Sequence, residues 1–315
     1  MTSKMMQAIQ VYQYGGPEEL KIENIPCPEP KEGEVLIRVE AAGVLPIDWK
    51  IRRGLTKNIV PVHFPYIPGS AFSGVVEKQG PGVTDFQIGQ FVFGRAKGTY
   101  TEYTISSVDE LIPMPENLTF TEAATITGGA ATAYNALFNE GKLVSGQKVL
   151  IHGAAGGVGS FATQLAHWKG ANVIGTASTK NLDFIRLLGT DHVVDYMKTQ
   201  FEKVVKDVDL VLDTVGGDTL QRSLSIIKPG GTLISLVGQP PIDKAKELGI
   251  NAKRSSSFAS KEDLWAIADL IAQKKIKAIA DNIFTLNEVQ HAHSVSETGH
   301  GRGRIVLQIA DTLSR

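Results

Sequence analysis

The run KVLIHGAAGGVGS, residues 148–160, constrains this chain more than any other segment. Residues 149–153, VLIHG, read as a short buried strand: an apolar run with two β-branched residues that ends in Gly153. A glycine cluster follows at Gly156, Gly157 and Gly159, and then an amphipathic stretch over residues 161–169, closed by Gly170. Strand, tight glycine turn and helix start is the arrangement that binds a dinucleotide pyrophosphate. Glycine lets the backbone approach the phosphates, and the first N–H groups of the helix supply the attraction.

The second strand, ANVIGT at residues 171–176, decides which dinucleotide fits. In NAD-binding folds an acid at its end holds the ribose 2′-hydroxyl. Here Ala177, Ser178, Thr179 and Lys180 stand in that place, and no carboxylate follows in sequence until Asp183. Hydroxyl donors and an ammonium suit a 2′-phosphate, so the expected cofactor is NADPH. Ser and Thr also cap helices, and a first-turn lysine is often only solvated.

The chain has 315 residues, 42% hydrophobic and 21% charged, with a formal net charge of −1. That composition supports a core in each of about two domains and offers no basic face for nucleic acid or a membrane surface. The apolar runs are strand-sized, too short for a membrane span. The first residues lack the apolar stretch of a signal peptide, so the expected location is cytoplasmic. Cys27 is the only cysteine, which excludes an internal disulfide and any multi-cysteine metal site.

Up to about residue 115 the texture is β, with short alternating segments punctuated by Gly and Pro. Residues 122–140 are Ala-rich and predict a helix leading into a second domain. Strands are then expected at 149–153, 171–176, 191–196, from 209, from 230 and within 252–259. Helices are expected at 161–169, 182–188, 200–205, 219–227 and 262–274. Alternating β and α with continuous apolar strands predicts a doubly wound parallel sheet. A strand after Ala280, a helix over 286–296 and a last strand, GRIVLQIA, have no place in that six-strand order and are expected to return to the first domain. The predicted division is 1–122 with 282–315, and 123–281.

Six collinear segments carry a family resemblance: AAGVLPIDWKIRRG (41–54), IPGSAFSGVV (67–76), AATITGGAATAYNAL (123–137), HGAAGGVGS (152–160), LDTVGG (212–217) and GRGRIVL (301–307). The chain resembles the medium-chain dehydrogenase/reductase superfamily, in its zinc-free quinone oxidoreductase and enone reductase branch. The resemblance implies an α/β protein: a GroES-like β domain, completed by the C-terminus, with a Rossmann domain inserted. The zinc dehydrogenases of the superfamily place a Cys where Pro46 and Ile47 stand here, and a Gly-His-Glu where Gly69 and Ser70 stand. Without thiolate or imidazole ligands no zinc site is expected. His291, His293 and His300 have neither a partner Cys nor HExxH spacing, and are read as packed or surface residues. A G-x-S-x-G elbow and a Tyr-x-x-x-Lys pair are both absent. The cofactor must then carry the chemistry.

Hydride transfer to a quinone or an α,β-unsaturated carbonyl is the implied reaction. Negative charge develops on the acceptor oxygen, and a nearby donor or cation lowers the barrier. The resemblance implies Lys50 as the catalytic candidate, since enone-reductase relatives have a Lys there. Quinone reductases often have a Tyr at that position and an upstream Asn, which is Leu45 here. Asp48 is expected to be structural. Trp49, Tyr66 and Thr132 are the implied acceptor-pocket residues, with packing preferred for Trp49. Gly156, Gly157 and Val158 are implied at the pyrophosphate, Ser178 and Lys180 at the 2′-phosphate, and Tyr196 near the adenosine phosphate. Val215 is implied on the adenosine side, Leu236, Val237 and Gly238 near the nicotinamide amide, and Arg304 near the cofactor. Relatives often dimerise through the Rossmann domain, so a homodimer acting on a small molecule is expected. A non-catalytic NADPH-binding sensor or crystallin-type protein is the alternative.

Overall fold

The computed structural model describes residues 4–255 and 259–310. The chain forms two compact units, Met1–Gly128 with Ala278–Arg315, and Gly129–Lys277.

The first unit opens with an antiparallel ribbon of β1 (Met5–Gln10) and β2 (Lys21–Pro26). Its main sheet is built on β3 (Glu34–Val44), with β4 (Ala71–Gln79), β5 (Phe91–Arg95), β6 (Tyr103–Ser107) and β7 (Leu111–Pro113). Ile37, Val39, Phe72, Val92, Tyr100 and Leu111 fill its core. Pro46 starts α1 (Pro46–Arg52), where a fixed φ and a missing N–H cost nothing. A capping box of Thr119 and Glu122 starts α2 (Phe120–Ala123).

The helix predicted over 122–140 is broken. It is divided into α2, a turn over 124–129, and α3 (Ala130–Tyr134), which widens into a π-helical turn over Asn135–Glu140. The break falls at Gly128, where a Cβ would meet the Leu45 side chain at 2.3 Å. The boundary between the units follows directly after this glycine.

The second unit contains β8 (Lys148–His152), α4 (Gly159–Trp168), β9 (Asn172–Ala177), α5 (Leu182–Leu187) and β10 (His192–Asp195). It continues with β11 (Val208–Asp213), α6 (Asp218–Ser223), β12 (Ile227–Ser235), α7 (Ile242–Glu247), β13 (Asn251–Arg254) and α8 (Lys261–Ala272). The six strands are parallel in the order β10-β9-β8-β11-β12-β13, the doubly wound order with its reversal beside β8. Leu150, Ile174, Val211 and Leu233 lie at its centre.

Two expectations change here. The helix at 200–205 is a single 3₁₀ turn, Phe201–Lys203, and α7 was not foreseen, because IDKAKE has no apolar stripe to announce it. The sixth strand expected within 252–259 is β13, while Ser256, Ser257 and Phe258 lie outside the described residues. The C-terminal segment does return to the first unit: β14 (Ala280–Thr285) and α9 (Val289–Glu297) precede β15 (Arg304–Gln308), which pairs antiparallel with β3.

Candidate active site

In a parallel sheet every strand delivers its following turn to one edge, and ligands bind there beside the reversal. Three turns meet on that edge of the second unit. Gly153 leaves β8 at φ +68°, and a Cβ on it would lie 2.5 Å from Thr214 Oγ1, on the turn after β11. A Cβ on Gly216 would lie 3.0 Å from Val237 Cγ1, on the turn after β12. Gly159 starts α4 so close to the glycine turn that a Cβ would fall 2.1 Å from Gly153 O. Ala154, Ala155 and Gly159 are buried beneath this turn, whereas Gly156, Gly157 and Val158 stand half-exposed at its tip. The rim carries exposed apolar side chains, Val215 at 52% and Val237 at 39%, with Leu236 and Gly238 half-buried beside them. Glycine backbone beside exposed valines fits a ligand that is part phosphate and part flat apolar ring.

Asp213 fixes the turn after β11. This carboxylate, fully buried, accepts from the Val215 N–H (2.8 Å), the Gly216 N–H (2.6 Å) and the Thr219 hydroxyl (2.7 Å). Ser235 plays the same part after β12, its hydroxyl accepting from Val237 and Gly238 N–H groups. Neither residue was singled out from sequence, although an Asp and a Ser ending strands before glycine turns are the signal for such side-chain cradles.

At the end of β9, Ser178 is half-buried and Lys180 exposed. The Ser178 side chain makes no helix-capping bond; it accepts instead from Asn181 Nδ2 at 3.3 Å. Thr179 departs from expectation, because its hydroxyl donates to Asp195 Oδ2 at 2.6 Å and that proton is committed. Asp195, at the end of β10, thus brings a carboxylate next to a segment that carries none of its own. Tyr196 follows it, 49% exposed, with its N–H bonded to Ala177 O. Thr132 is half-buried on α3, which packs against α4.

In the first unit α1 carries Asp48, Trp49 and Lys50. Asp48 is buried and accepts from the Leu45 N–H and the Tyr100 hydroxyl at 2.8 Å each. Burial pushes its carboxyl up to about 6 against those bonds and the nearby Arg304. Trp49 is half-buried with its indole N–H enclosed and without a partner among the described residues. Lys50 is half-buried, its Nζ 5.5 Å from the Trp49 ring centroid. Tyr66 pairs its backbone with Val11, and its enclosed hydroxyl has no protein partner among the described residues. Burial raises that phenol well above the usual range, so it stays protonated and can only donate or accept as O–H.

Arg304 is held inside the first unit. Expected beside the cofactor, it is buried at 6% exposure within the first unit, donates to Gly128 O and sits near Asp48. Burial lowers its guanidinium to about 10, and Asp48 opposes that shift.

The histidines also separate. His291 and His300 are exposed; His293 is fully buried, edge-on to Tyr100, and neither ring nitrogen has a protein partner among the described residues. Burial pushes His293 down to about 3, and the Arg52 guanidinium, itself paired with Glu297, adds to that. Since the folded state holds this imidazole neutral while the unfolded chain protonates near pH 6.5, stability falls as pH drops from about 6.5 toward 3. Asp48, raised, works oppositely between about 4 and 6. His293→Phe keeps the edge contact and removes the protonation, so acidification from pH 7.5 to 5 should cost the variant about 2 kcal/mol less than the parent. Urea unfolding at both pH values measures this; equal acid losses in both proteins would contradict it.

For zinc the residues do not fit. Pro46, Ile47 and Ser70 supply no thiolate or imidazole, and no group of three His, Cys, Asp or Glu side chains able to hold a metal occurs among the described residues. Cys27 is half-buried with its thiol raised by burial, which suits neither a ligand nor a nucleophile.

Residues 31–116 match the alcohol dehydrogenase GroES-like domain, and residues 188–307 match a family described as zinc-binding dehydrogenase. The quinone oxidoreductase of Sus scrofa is 36% identical over 319 residues, covering 95% of this chain and 96% of that protein. The 2-methylene-furan-3-one reductase of Solanum lycopersicum is 33% identical over 319 residues, covering 96% of this chain and 79% of that one. Among solved structures, a mycobacterial protein complexed with NADPH superposes with a TM-score of 0.87 at 30% identity, covering 96% of this chain and 99% of that one. Together with the GroES-like sheet and the doubly wound unit, these likenesses show that the chain belongs to the medium-chain dehydrogenase/reductase superfamily, in its quinone oxidoreductase branch.

Proposed function

We propose that this oxidoreductase uses NADPH, without zinc, to reduce quinones or α,β-unsaturated carbonyls. The observation that carries the cofactor reading is the end of β9, where Ser178 and Lys180 stand in place of an acid beside a glycine turn built for pyrophosphate. When bound, NADPH supplies the hydride. The chain's own part is to hold the pyrophosphate on Gly156, Gly157 and Val158, to receive the 2′-phosphate at Ser178 and Lys180, and to leave Tyr196 and Val215 for the adenosine. Leu236, Val237 and Gly238 support the nicotinamide side, and Thr132 lies on the helix packed beside the glycine helix. In the first unit Lys50 and the Tyr66 hydroxyl are the groups able to polarise an acceptor oxygen. The tomato relative's name favours the enone acceptor, as does Lys50. A cytoplasmic homodimer completes the proposal.

The test is NADPH consumption, followed by absorbance, with a panel of quinones and enones before and after exhaustive chelation. Turnover that survives chelation supports the reading. Turnover lost with stoichiometric zinc overturns the metal-free part, and tight NADPH binding with no acceptor turned over favours the sensor alternative.

NADPH should bind at least about tenfold tighter than NADH, roughly 1.4 kcal/mol. Asp195 sets a counterweight, since its charge lies one hydroxyl away from the phosphate donors. Lys180→Ala should erode the preference and leave NADH affinity nearly unchanged in parallel fluorescence titrations. Equal affinities in the parent would sink the NADPH assignment.

A further inference from the structure

His152 is the last residue of β8, 1% exposed, and no role at the site has been given to its side chain so far. Its ring lies between β9 and α6: Nδ1 is 3.2 Å from Thr176 Oγ1 and Nε2 is 3.0 Å from Ser223 Oγ. The neighbours fix its protons. Ser223 spends its hydrogen on Thr219 O at 2.6 Å, so it must accept from Nε2–H. Nδ1 is then the acceptor, and Thr176 donates to it. That leaves a lone pair of Thr176 Oγ1 for the Gly153 N–H, 3.2 Å away, which is the first amide of the glycine turn. On the other side the Thr219 hydroxyl lies 2.7 Å from Asp213 Oδ2, the carboxylate that gathers the Val215 and Gly216 amides, and 2.6 Å from Gly216 O. The His152 carbonyl accepts from Thr214 Oγ1 at 2.8 Å as well.

One neutral tautomer therefore satisfies every bond from the Gly153 N–H through Thr176 and the ring to Ser223 and the Thr219 carbonyl. Burial supports that form, pushing the imidazole down to about 4, with Arg222 lowering and Asp213 and Glu202 raising it. Phe201 packs on the ring edge at 4.5 Å. An aliphatic residue at this point would build the same strand, but could not bond Thr176 and Ser223.

We propose that His152 is a positioning residue for the dinucleotide: through Thr176 its Nδ1 side sets the register of the glycine turn that faces the ligand, while its Nε2–H bond to Ser223 anchors the ring on α6. This rests on the cofactor reading above. Three variants test it by NADPH fluorescence titration alongside thermal unfolding. His152→Asn puts an amide oxygen where Nδ1 accepts from Thr176. His152→Gln puts an amide donor where Nε2 reaches Ser223. His152→Leu keeps neither.

The expected result is a Kd for NADPH within about threefold of the parent for Asn, and raised about tenfold or more for Gln and Leu. Asn and Gln should lose similar thermal stability, because each breaks one rung. Affinity that simply tracks melting temperature across the series, or a folded Leu variant with parental Kd, overturns the proposal. Should the Leu variant not fold, the Asn and Gln pair decides. A parent that binds NADH but not NADPH overturns the cofactor reading alone, and the same series is then titrated with NADH; a parent that binds neither overturns both.

Discussion

Gly159→Val is expected to abolish dinucleotide binding, weakening NADPH by at least about a hundredfold, a loss of roughly 2.7 kcal/mol or more. The added Cβ would lie 2.1 Å from Gly153 O and 2.8 Å from Ala154 Cα, both backbone atoms that cannot rotate away. The turn must shift, and with it the Gly156 N–H that bonds Gly153 O at 2.9 Å. β-branching adds a helix penalty below about 1 kcal/mol, small beside the clash. Far-ultraviolet circular dichroism separates a misplaced turn from an unfolded unit, and cofactor fluorescence reads the affinity. A variant that is folded and binds normally would put the pyrophosphate somewhere other than this turn. Gly156 makes the contrast: a Cβ there meets only Gly153 O, at 3.4 Å, so Gly156→Ala should fold normally and lose affinity only through space a ligand needs.

The same contrast explains how much of this protein was legible in its sequence. The parallel order of β8 to β13 followed from continuous β-branched runs broken by glycines, because strands covered on both faces have little choice of residue. The return of β15 to β3 followed from one segment too many for a six-strand sheet. The break at Gly128 did not show, since an Ala-rich stretch reads as helix wherever tertiary contacts do not object. The Leu45 side chain, distant in sequence, lies where a Cβ on residue 128 would go, which accounts for a glycine at that position.

The site divides in the same way. Backbone requirements left glycines at fixed spacing, so the pyrophosphate turn could be read directly. Side-chain networks left no such spacing. Asp213, Ser235 and His152 act through partners up to 71 positions away in sequence, and Asp195 meets Thr179 across two neighbouring strand ends. The partners of Arg304 were equally hidden in the sequence: the Gly128 carbonyl and the buried Asp48 lie far from it along the chain.

Lys50→Met should lower kcat for enone reduction about tenfold to a thousandfold, roughly 1.4 to 4 kcal/mol of barrier. The substitution keeps the length and apolar stem of a half-buried side chain on α1 and removes its charge. An ammonium near the developing enolate oxygen helps mainly in the transition state, so NADPH affinity should change much less than kcat. A quinone is already electron-poor and needs less polarisation, so its turnover should fall less than that of an enone. Steady-state kinetics with both acceptors, beside a direct NADPH titration, distinguishes the cases. Equal slowing of both acceptors with a raised Kd for NADPH would place Lys50 at the cofactor instead. No change in any of the three would return it to the surface and leave the polarising role to Tyr66, whose enclosed hydroxyl has no protein partner among the described residues. Tyr66→Phe, which removes that one oxygen, would then be the variant expected to lose kcat.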